Sequence, residues 1–421
     1  MKKNIMITCI SVLCMAQINA QETFKVMFYN LLNYPNEDVI PNREQYLETV
    51  LSDYQPDLFL VCELNDETGA NTVLSITRTS ISSDYNMATY ASNTSDDDGS
   101  DQNLLQNLLY YDSSKFILES ETIVSTDLRD FNVYVLRLNT TDQATNPIRL
   151  YTIVCHLKAG SDVDDVQRRF EMVQELQTYL ETLPSDSYVL LGGDLNLKTA
   201  TESAFQELLD ITNNITFADP PNRIGSWNNN TTFIDVFTQS TRTQSGLGGA
   251  SGGFDDRFDF ILTSENMLTT ADITYVDDSY VVYGNNGNVS CFNEAINSFD
   301  CAGPTFSFAI RDALHNFSDH LPVTLSLETD ATLLSTEAFE VSNQLLLKEN
   351  IIDSELTVLT SSFKLHNQTM VIYNTMGQLV KTLNTGTQSE WTVNVSELSS
   401  GLYFLAIPSL NINPVKFIIA D

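Results

Sequence analysis

The side chains able to do chemistry stand at the ends of apolar runs. Asn30 follows Phe28-Tyr29, Glu63 follows Val61-Cys62, and His156 follows Val154-Cys155. Asp194 and Asn196 close the run through residues 190–193, and Asp319-His320 precede Leu321-Pro322. Asp259 lies inside the apolar run 258–262, where a carboxylate without a partner is costly to desolvate. Singly, each has a plainer use: Asn30 as a turn former, Glu63 as a solvated strand end, Asp194 and Asn196 as turn caps, Asp319-His320 as a surface turn. Jointly, acids, amides and imidazoles placed where strands leave a core converge at one sheet edge, where a rigid scaffold can hold reactive groups. Three of the chain's four histidines could join them, but His315 has no comparable context and reads as structural.

Such a set suits metal-assisted hydrolysis of a phosphoester. A hard cation such as Mg2+ takes oxygen ligands and keeps waters, so one or two protein ligands suffice: Glu63, with Asp319 or Asn30 beside it. A neutral imidazole can take the proton of the attacking water while a protonated one stabilises developing charge, and His156 and His320 are the pair available. Asp259 and Asp319 can orient those rings. Asn196 can position water or a phosphoryl oxygen without adding charge, and Asp194 can hold or deprotonate the nucleophile. Lys158, Arg168 and Arg257 are candidate phosphate contacts, with Arg169 and Arg242 behind them. Arg168 and Arg169 equally suit a helix surface, their stems lying along apolar neighbours.

The elements that must position these groups are short. Strand-like runs cover 24–29, 58–62, 104–111, 133–138, 150–155, 188–191, 258–262 and 321–327, alternating with helix-like runs at 43–54, 72–80, 163–183 and 202–210. Ser161 and Asp164 form an expected capping box for the third helix. Long hairpin-like stretches between helices predict a mixed, layered α/β sandwich rather than a doubly wound parallel sheet. The run 93–101 lacks the ligand places of a calcium loop and reads as a solvated acidic turn. The segment 246–253 holds five of the chain's 17 glycines and reads as a mobile stretch delivering 255–259. Beyond a linker at 329–345, short alternating strands at 369–373, 391–395, 402–407 and 415–419 predict a small all-β sandwich over 346–421. Its only histidine is His366, so catalysis is not expected there.

Composition narrows the classes. The 421 residues are 42% hydrophobic and carry 21 basic against 55 acidic side chains, a net charge of −34. Disorder is excluded, and so is adhesion to nucleic acid or anionic lipid through a polybasic face. An anionic substrate would need its charge offset by a divalent metal. Lys2-Lys3, the apolar stretch 5–16 and the small-residue end at Ala20 predict a cleaved signal peptide over 1–20, and no later apolar run is long enough to span a membrane. Cys291 and Cys301 can pair in an oxidising compartment, while Cys62 and Cys155 read as buried free thiols.

The blocks F-Y-N-L-L-N (28–33), V-C-E (61–63), H-L-K-A-G (156–160), G-G-D-L-N (192–196), D-D-R-F-D-F-I-L (255–262) and S-D-H-L-P (318–322) resemble, in order, those of the endonuclease/exonuclease/phosphatase superfamily across residues 22–328. The resemblance implies a four-layered α/β sandwich, two packed mixed sheets flanked by helices, and Mg2+ or Mn2+ at Glu63. It places Asn30, Glu63, His156, Asp194, Asn196, Asp259, Asp319 and His320 in the site. His156 is closer to the secreted deoxyribonuclease and sphingomyelinase branches, and Leu32 departs from the acidic residue of the abasic-site repair branch. Residues 372–374, 376–378, 398–405 and 416–418 resemble the type A sorting domain of the type IX secretion system, ending in Ile419-Ala420-Asp421 instead of the usual basic finish. The expectation is a secreted or cell-surface, monomeric, metal-dependent phosphoesterase, first a nuclease acting on DNA or RNA. A sphingomyelinase-like phospholipase C, with 280–283 as an apolar hairpin, and an inactive binding protein are the alternatives.

Overall fold

Period-two burial decides the architecture of the larger unit. In a computed structural model the described residues are 21–95, 105–269, 271–334, 346–359, 368–384, 390–408 and 414–420. The expected leader, most of the acidic turn at 93–101, linker residues 335–345 and His366 lie outside them. The chain divides into two units, Met1–Leu334 and Ser335–Asp421.

The strands of the first unit are β1 (Glu22–Tyr34), β2 (Leu58–Leu64), β3 (Tyr85–Met87), β4 (Gln106–Asp112), β5 (Phe116–Val124), β6 (Phe131–Leu138) and β7 (Arg149–His156). They continue with β8 (Tyr188–Asp194), β9 (Phe217–Ala218), β10 (Asp259–Ser264), β11 (Thr274–Tyr275), β12 (Val281–Val282) and β13 (Val323–Thr329). The helices are α1 (Glu44–Tyr54), α2 (Glu67–Ser80), α3 (Val163–Leu180), α4 (Ser203–Leu208) and α5 (Phe308–Phe317). One mixed sheet has the order β11-β13-β1-β2-β4-β3, with β12 also on β13; the other runs β5-β6-β7-β8-β10-β9.

Alternate residues of the second sheet face opposite ways. Leu150, Val154, Leu190 and Ile261 join the first sheet in one core that also takes Leu47, Val50 and Val73 from α1 and α2, and Leu314 and Phe317 from α5. Their neighbours Ile153, Cys155, Val189, Leu191, Phe260 and Leu262 turn outward onto Met172, Val173 and Leu176 of α3 and Phe205 of α4. The layers are therefore helix, sheet, sheet, helix, as the motif resemblance implied.

Local chemistry sets the ends. Asp66 Oδ1 accepts from Gly69 N at 2.7 Å, so α2 starts five residues before the apolar periodicity begins at Thr72. The capping box of α3 falls one residue later than Ser161 and Asp164: Asp165 Oδ2 accepts from Asp162 N at 3.2 Å. Helix α5 and the half-exposed strand β5 were not anticipated from apolar patterning.

In the second unit, β14 (Leu346–Leu347), β15 (Ile351–Ile352), β16 (Glu355–Leu359), β17 (Thr369–Asn374), β18 (Leu379–Asn384), β19 (Glu390–Asn394), β20 (Gly401–Ala406) and β21 (Val415–Ile419) make sheets ordered β14-β16-β19 and β15-β21-β20-β17-β18. Leu356, Val358, Ile372, Leu405 and Phe417 share one small core between them.

Three arginines rank among the largest fully buried side chains: Arg169, Arg242 and Arg257. Arg257 grips Asp219 with two bonds of 2.6 and 3.0 Å and lies over the Phe260 ring at 4.1 Å. Removing one partner of a pair held this way strands a buried charge. Asp219→Asn should therefore lower unfolding free energy by about 3–5 kcal/mol in urea titration, a cost unlike the near-zero value of an exposed pair.

Candidate functional site

Strand register assembles the candidate site. β1 and β2 run parallel with Asn30 beside Cys62, so Asn30 and Glu63 emerge at the same end of the first sheet. In the second sheet, parallel pairing of β7 and β8 sets His156 beside Asp194, and antiparallel pairing of β8 and β10 sets Asp259 on Asp194's other side. Antiparallel pairing of β13 with β1, reaching Phe28 opposite Val323, brings the turn 318–320 to the end of β1. Ser318 Oγ fastens that turn to Asn30 O at 2.8 Å.

The side chains converge around Asp194, partly by hydrogen bonds and partly by close approach. Asn30 Nδ2 donates to Glu63 Oε1 at 2.9 Å and to Asp194 Oδ2 at 3.1 Å. His156 Nε2 lies 3.5 Å from Asp194 Oδ2 and 4.0 Å from Glu63 Oε1. His320 Nδ1 is 2.7 Å from Asp259 Oδ2, and its Nε2 is 3.8 Å from Asp194 Oδ2. Asn196 donates from its backbone N to Asp194 Oδ1 at 3.1 Å and from Nδ2 to Leu157 O at 3.2 Å. Asp194 is thus the residue that the others surround.

Two of these residues have backbones that few side chains adopt. Glu63 has φ 58° and Asn196 φ 52°. The left-handed region suits asparagine but costs glutamate of the order of 1 kcal/mol or more. The Glu63 conformation is held by its own carboxylate, whose Oε2 accepts from Asn33 N at 3.0 Å, across a register shift between β1 and β2.

Burial without enough counter-charge dominates the electrostatics. Desolvation pushes the Asp194 carboxyl from 3.8 up to about 8, with the charges of Asp259 and Glu63 adding to it and His320 opposing. Glu63 is raised by burial and by Asp319. Burial, then Arg129 and His320, pushes His156 well below its ordinary value, leaving it neutral. Burial also works against charge on His320, yet Asp259, Asp319 and Asp194 together raise it well above. The two imidazoles are driven apart in proton affinity, the condition for one base and one acid. Asp259 Oδ1, Asp319 Oδ1 and His156 Nδ1 are buried without a hydrogen-bond partner.

Asp319 is reached by the glycine segment. Ala250 N donates to Asp319 Oδ2 at 2.7 Å, and a Cβ on Gly249 (φ 61°) would lie 2.4 Å from that oxygen. Arg242 Nη1 binds Leu247 O at 2.8 Å and Gly248 O at 3.1 Å, so the segment is folded back and tied down rather than loose. The expectation of a mobile delivery loop is corrected accordingly.

The cationic candidates divide. Arg257 is corrected: its guanidinium is spent on Asp219 and fully buried, and it cannot touch phosphate. Arg168 pairs with Asp127 at 2.9 Å, and Lys158 with Asp165 at 2.8 Å. Arg169 braces the loop after His156 through Lys158 O at 2.8 Å and Gly160 O at 2.9 Å while paired with Glu202. The 280–283 hairpin does not form either: Val281–Val282 pairs with β13, and Tyr283 packs on Tyr54 and Phe306. Cys291 and Cys301 are disulfide-bonded, and burial raises the free thiols of Cys62 and Cys155.

Residues that the motif blocks did not mark also build the site. Gln239 Nε2 bonds Asp319 Oδ2 at 3.2 Å and lies 2.6 Å from His320 Nε2. Arg129 Nη1 holds Leu157 O at 2.8 Å behind His156. Arg43 ties Leu32 O, at 3.0 Å, to Phe317 O, at 2.9 Å, across the end of β1. Thr238 Oγ1 accepts from Phe258 N at 3.0 Å and Asp259 N at 3.2 Å. None stands at the end of a strand-like run of the kind that marked the other site residues.

Among the described residues, two groups could hold a metal ion: Glu63, His156 and Asp194, and Asp194, Asp259 and His320. The donor chemistry fits a hard cation, since three buried carboxylates converge with no lysine or arginine bonded to them and an acceptor oxygen to spare on Asp259. Asp319 belongs to neither group.

Residues 352–421 match the family model described as the secretion system C-terminal sorting domain, which indicates type IX secretion to the cell surface or beyond. No curated protein matches the chain. Among the solved structures to which this chain is similar, three cover about the same share of it. The endonuclease/exonuclease/phosphatase from Bacteroides vulgatus is 12% identical at a TM-score of 0.45, over 73% of this chain and 99% of that one. Humanized D. rerio TDP2 is 16% identical at 0.44, over 73% and 99%. The human Nocturnin catalytic domain with bound sulfate is 13% identical at 0.43, over 73% and 97%.

The Asp194 shift has a measurable sign. Between about pH 4 and 8 the folded carboxyl keeps a proton that the unfolded chain has lost, so its contribution to stability is full below pH 4 and fades as pH rises toward 8. In EDTA, urea midpoints of Asp194→Asn should gain on the native protein as pH rises from 5 to 8. A gap independent of pH would contradict the buried-acid account.

Proposed function

We propose that the first unit is a divalent-metal-dependent phosphoesterase, exported with the sorting tail, whose leading substrates are the phosphodiester bonds of extracellular DNA and RNA. The observation that carries this reading is the convergence of Asn30, Glu63, His156, Asp194, Asp259 and His320 around one buried carboxylate, drawn from strand ends in both sheets. The order of the motif blocks supports it independently.

Each residue has a role its surroundings favour. Glu63, with Asn30 bonded to it, would hold Mg2+ or Mn2+, with Asp319 on the adjoining turn as a further oxygen donor. The bound ion would offset the charge of the phosphoryl group in a chain that is itself strongly acidic. Asp194, flanked by both imidazoles and fixed by Asn196 N, is placed to orient an attacking water and, once a bound cation favours its ionised form, to accept its proton. Asp259 steers His320 through Nδ1, leaving Nε2 toward Asp194. His156, kept neutral, can donate from its one protonated ring nitrogen to a phosphoryl oxygen without adding fixed charge. Asn196 contributes a neutral amide at the same edge.

Substrate grip should be weak in cations. Among the described residues, Arg257, Arg169 and Arg242 serve the fold, and Lys158 and Arg168 are paired with acids. The purified protein with Mg2+ or Mn2+ should nick plasmid DNA and degrade RNA, lose that activity in EDTA, and lose about 10²–10⁴-fold of it in His320→Ala. Its salt dependence should be far shallower than the about 10³–10⁵-fold loss that many phosphate contacts bring between 50 and 200 mM salt. Intact nucleic acid with choline-phosphate release from sphingomyelin vesicles would transfer the reading to a phospholipase C. No turnover of either, or of bis-p-nitrophenyl phosphate, would refute the enzyme.

A further inference from the structure

Residues 238–241 bridge two parts of the site through their backbone. Gln239 N donates to Asp256 O at 3.0 Å and Asp256 N to Gln239 O at 2.9 Å on one side, while Leu321 N donates to Thr238 O at 2.7 Å and Thr241 N to Asp319 O at 3.0 Å on the other. The segment is thus welded between the approach to β10 and the turn that carries Asp319 and His320. Its half-buried Gln239 side chain has little freedom of placement.

The side-chain amide lands on both members of that turn. It lies 2.6 Å from His320 Nε2 and donates to Asp319 Oδ2 at 3.2 Å. Asp259 already holds the opposite ring nitrogen at 2.7 Å. His320 is therefore clamped at both nitrogens, by a carboxylate on one side and a neutral amide on the other. Among the described residues no other side chain hydrogen-bonds both Asp319 and His320. Both contacts use the same amide nitrogen, which can donate to the carboxylate and to an unprotonated ring Nε2, while Nδ1 carries the proton given to Asp259.

We propose that Gln239 is a positioning residue of the hydrolytic site: its amide locks the His320 ring against Asp259 and ties it to Asp319, fixing the plane and place of the imidazole in the site. A neutral donor is the group this place requires. A lysine here would compete with the metal for the carboxylates, and an acid would add one more negative charge to a cluster already short of counter-charge. The functional part rests on the phosphoesterase reading; the clamp itself does not.

The test compares Gln239→Ala with the isosteric Gln239→Glu in the full chain, with circular dichroism confirming that each is folded. Both should lower kcat, by about 10–100-fold with KM unchanged, as losses of groups that orient site residues do. Gln239→Glu should fall at least as far as Gln239→Ala, because a carboxylate cannot donate to Asp319 Oδ2. A side chain that merely fills space predicts the reverse, with Gln239→Glu near the native rate. Imidazole ¹⁵N spectra give a readout independent of turnover: the His320 Nε2 resonance should move in both variants while those of His315 and His366 stay. An unmoved His320 resonance, or native kcat in Gln239→Glu, overturns the proposal. Absence of hydrolysis by the native protein refutes the enzyme reading instead, and the spectra still decide the clamp.

Discussion

Parallel pairing of β7 with β8 and antiparallel pairing of β8 with β10 leave Asp194 no choice of neighbours. His156 is fixed on one side and Asp259 on the other, and the facing sheet supplies Asn30 and Glu63 across the top. A one-residue slip in either pairing would turn each of these side chains to the opposite face of its strand. The buried cores above and below Asp194 forbid that slip, because Leu190 and Leu191 are committed to different layers. The catalytic proposal therefore depends on packing that has nothing catalytic about it.

The same packing makes the centre electrostatically uneasy. Three carboxylates share a space from which water is largely excluded, and the compensation comes from backbone N–H groups, one asparagine amide and two imidazoles. Arg43 and Arg129, which brace the site from behind, spend donors on backbone carbonyls that shape the loops. A scaffold that collects acids and sends its cations to structural work leaves room for a divalent ion, and the chain's overall acidity makes that ion the more necessary for an anionic substrate.

Much of the site was legible because the reactive residues end, interrupt or precede apolar runs. Apolar runs mark buried strands, and a polar residue at the end of one is placed at a sheet edge by the fold itself. β5, half exposed along its length, escaped because its periodicity is weak; α5 was missed although Ile310, Ala313, Leu314 and Phe317 fall at helical spacing behind the Ser307 cap. The arginines misled for a physical reason. Charge in a sequence suggests solvent or substrate, and nothing in the letters of Arg257 foretells that Asp219, 38 positions away, will close on it inside the core. Gln239 was invisible for the complementary reason, since its importance arises from backbone pairing to segments distant in sequence.

The central claim is that a divalent ion completes the acidic centre around Asp194. Diffraction from crystals grown with Mn2+, recorded at the manganese absorption edge, tests it most directly. The account predicts an anomalous peak bonded to Glu63 within the group formed with Asn30, His156 and Asp194. Manganese found only on surface acids, with that centre bare, would contradict it.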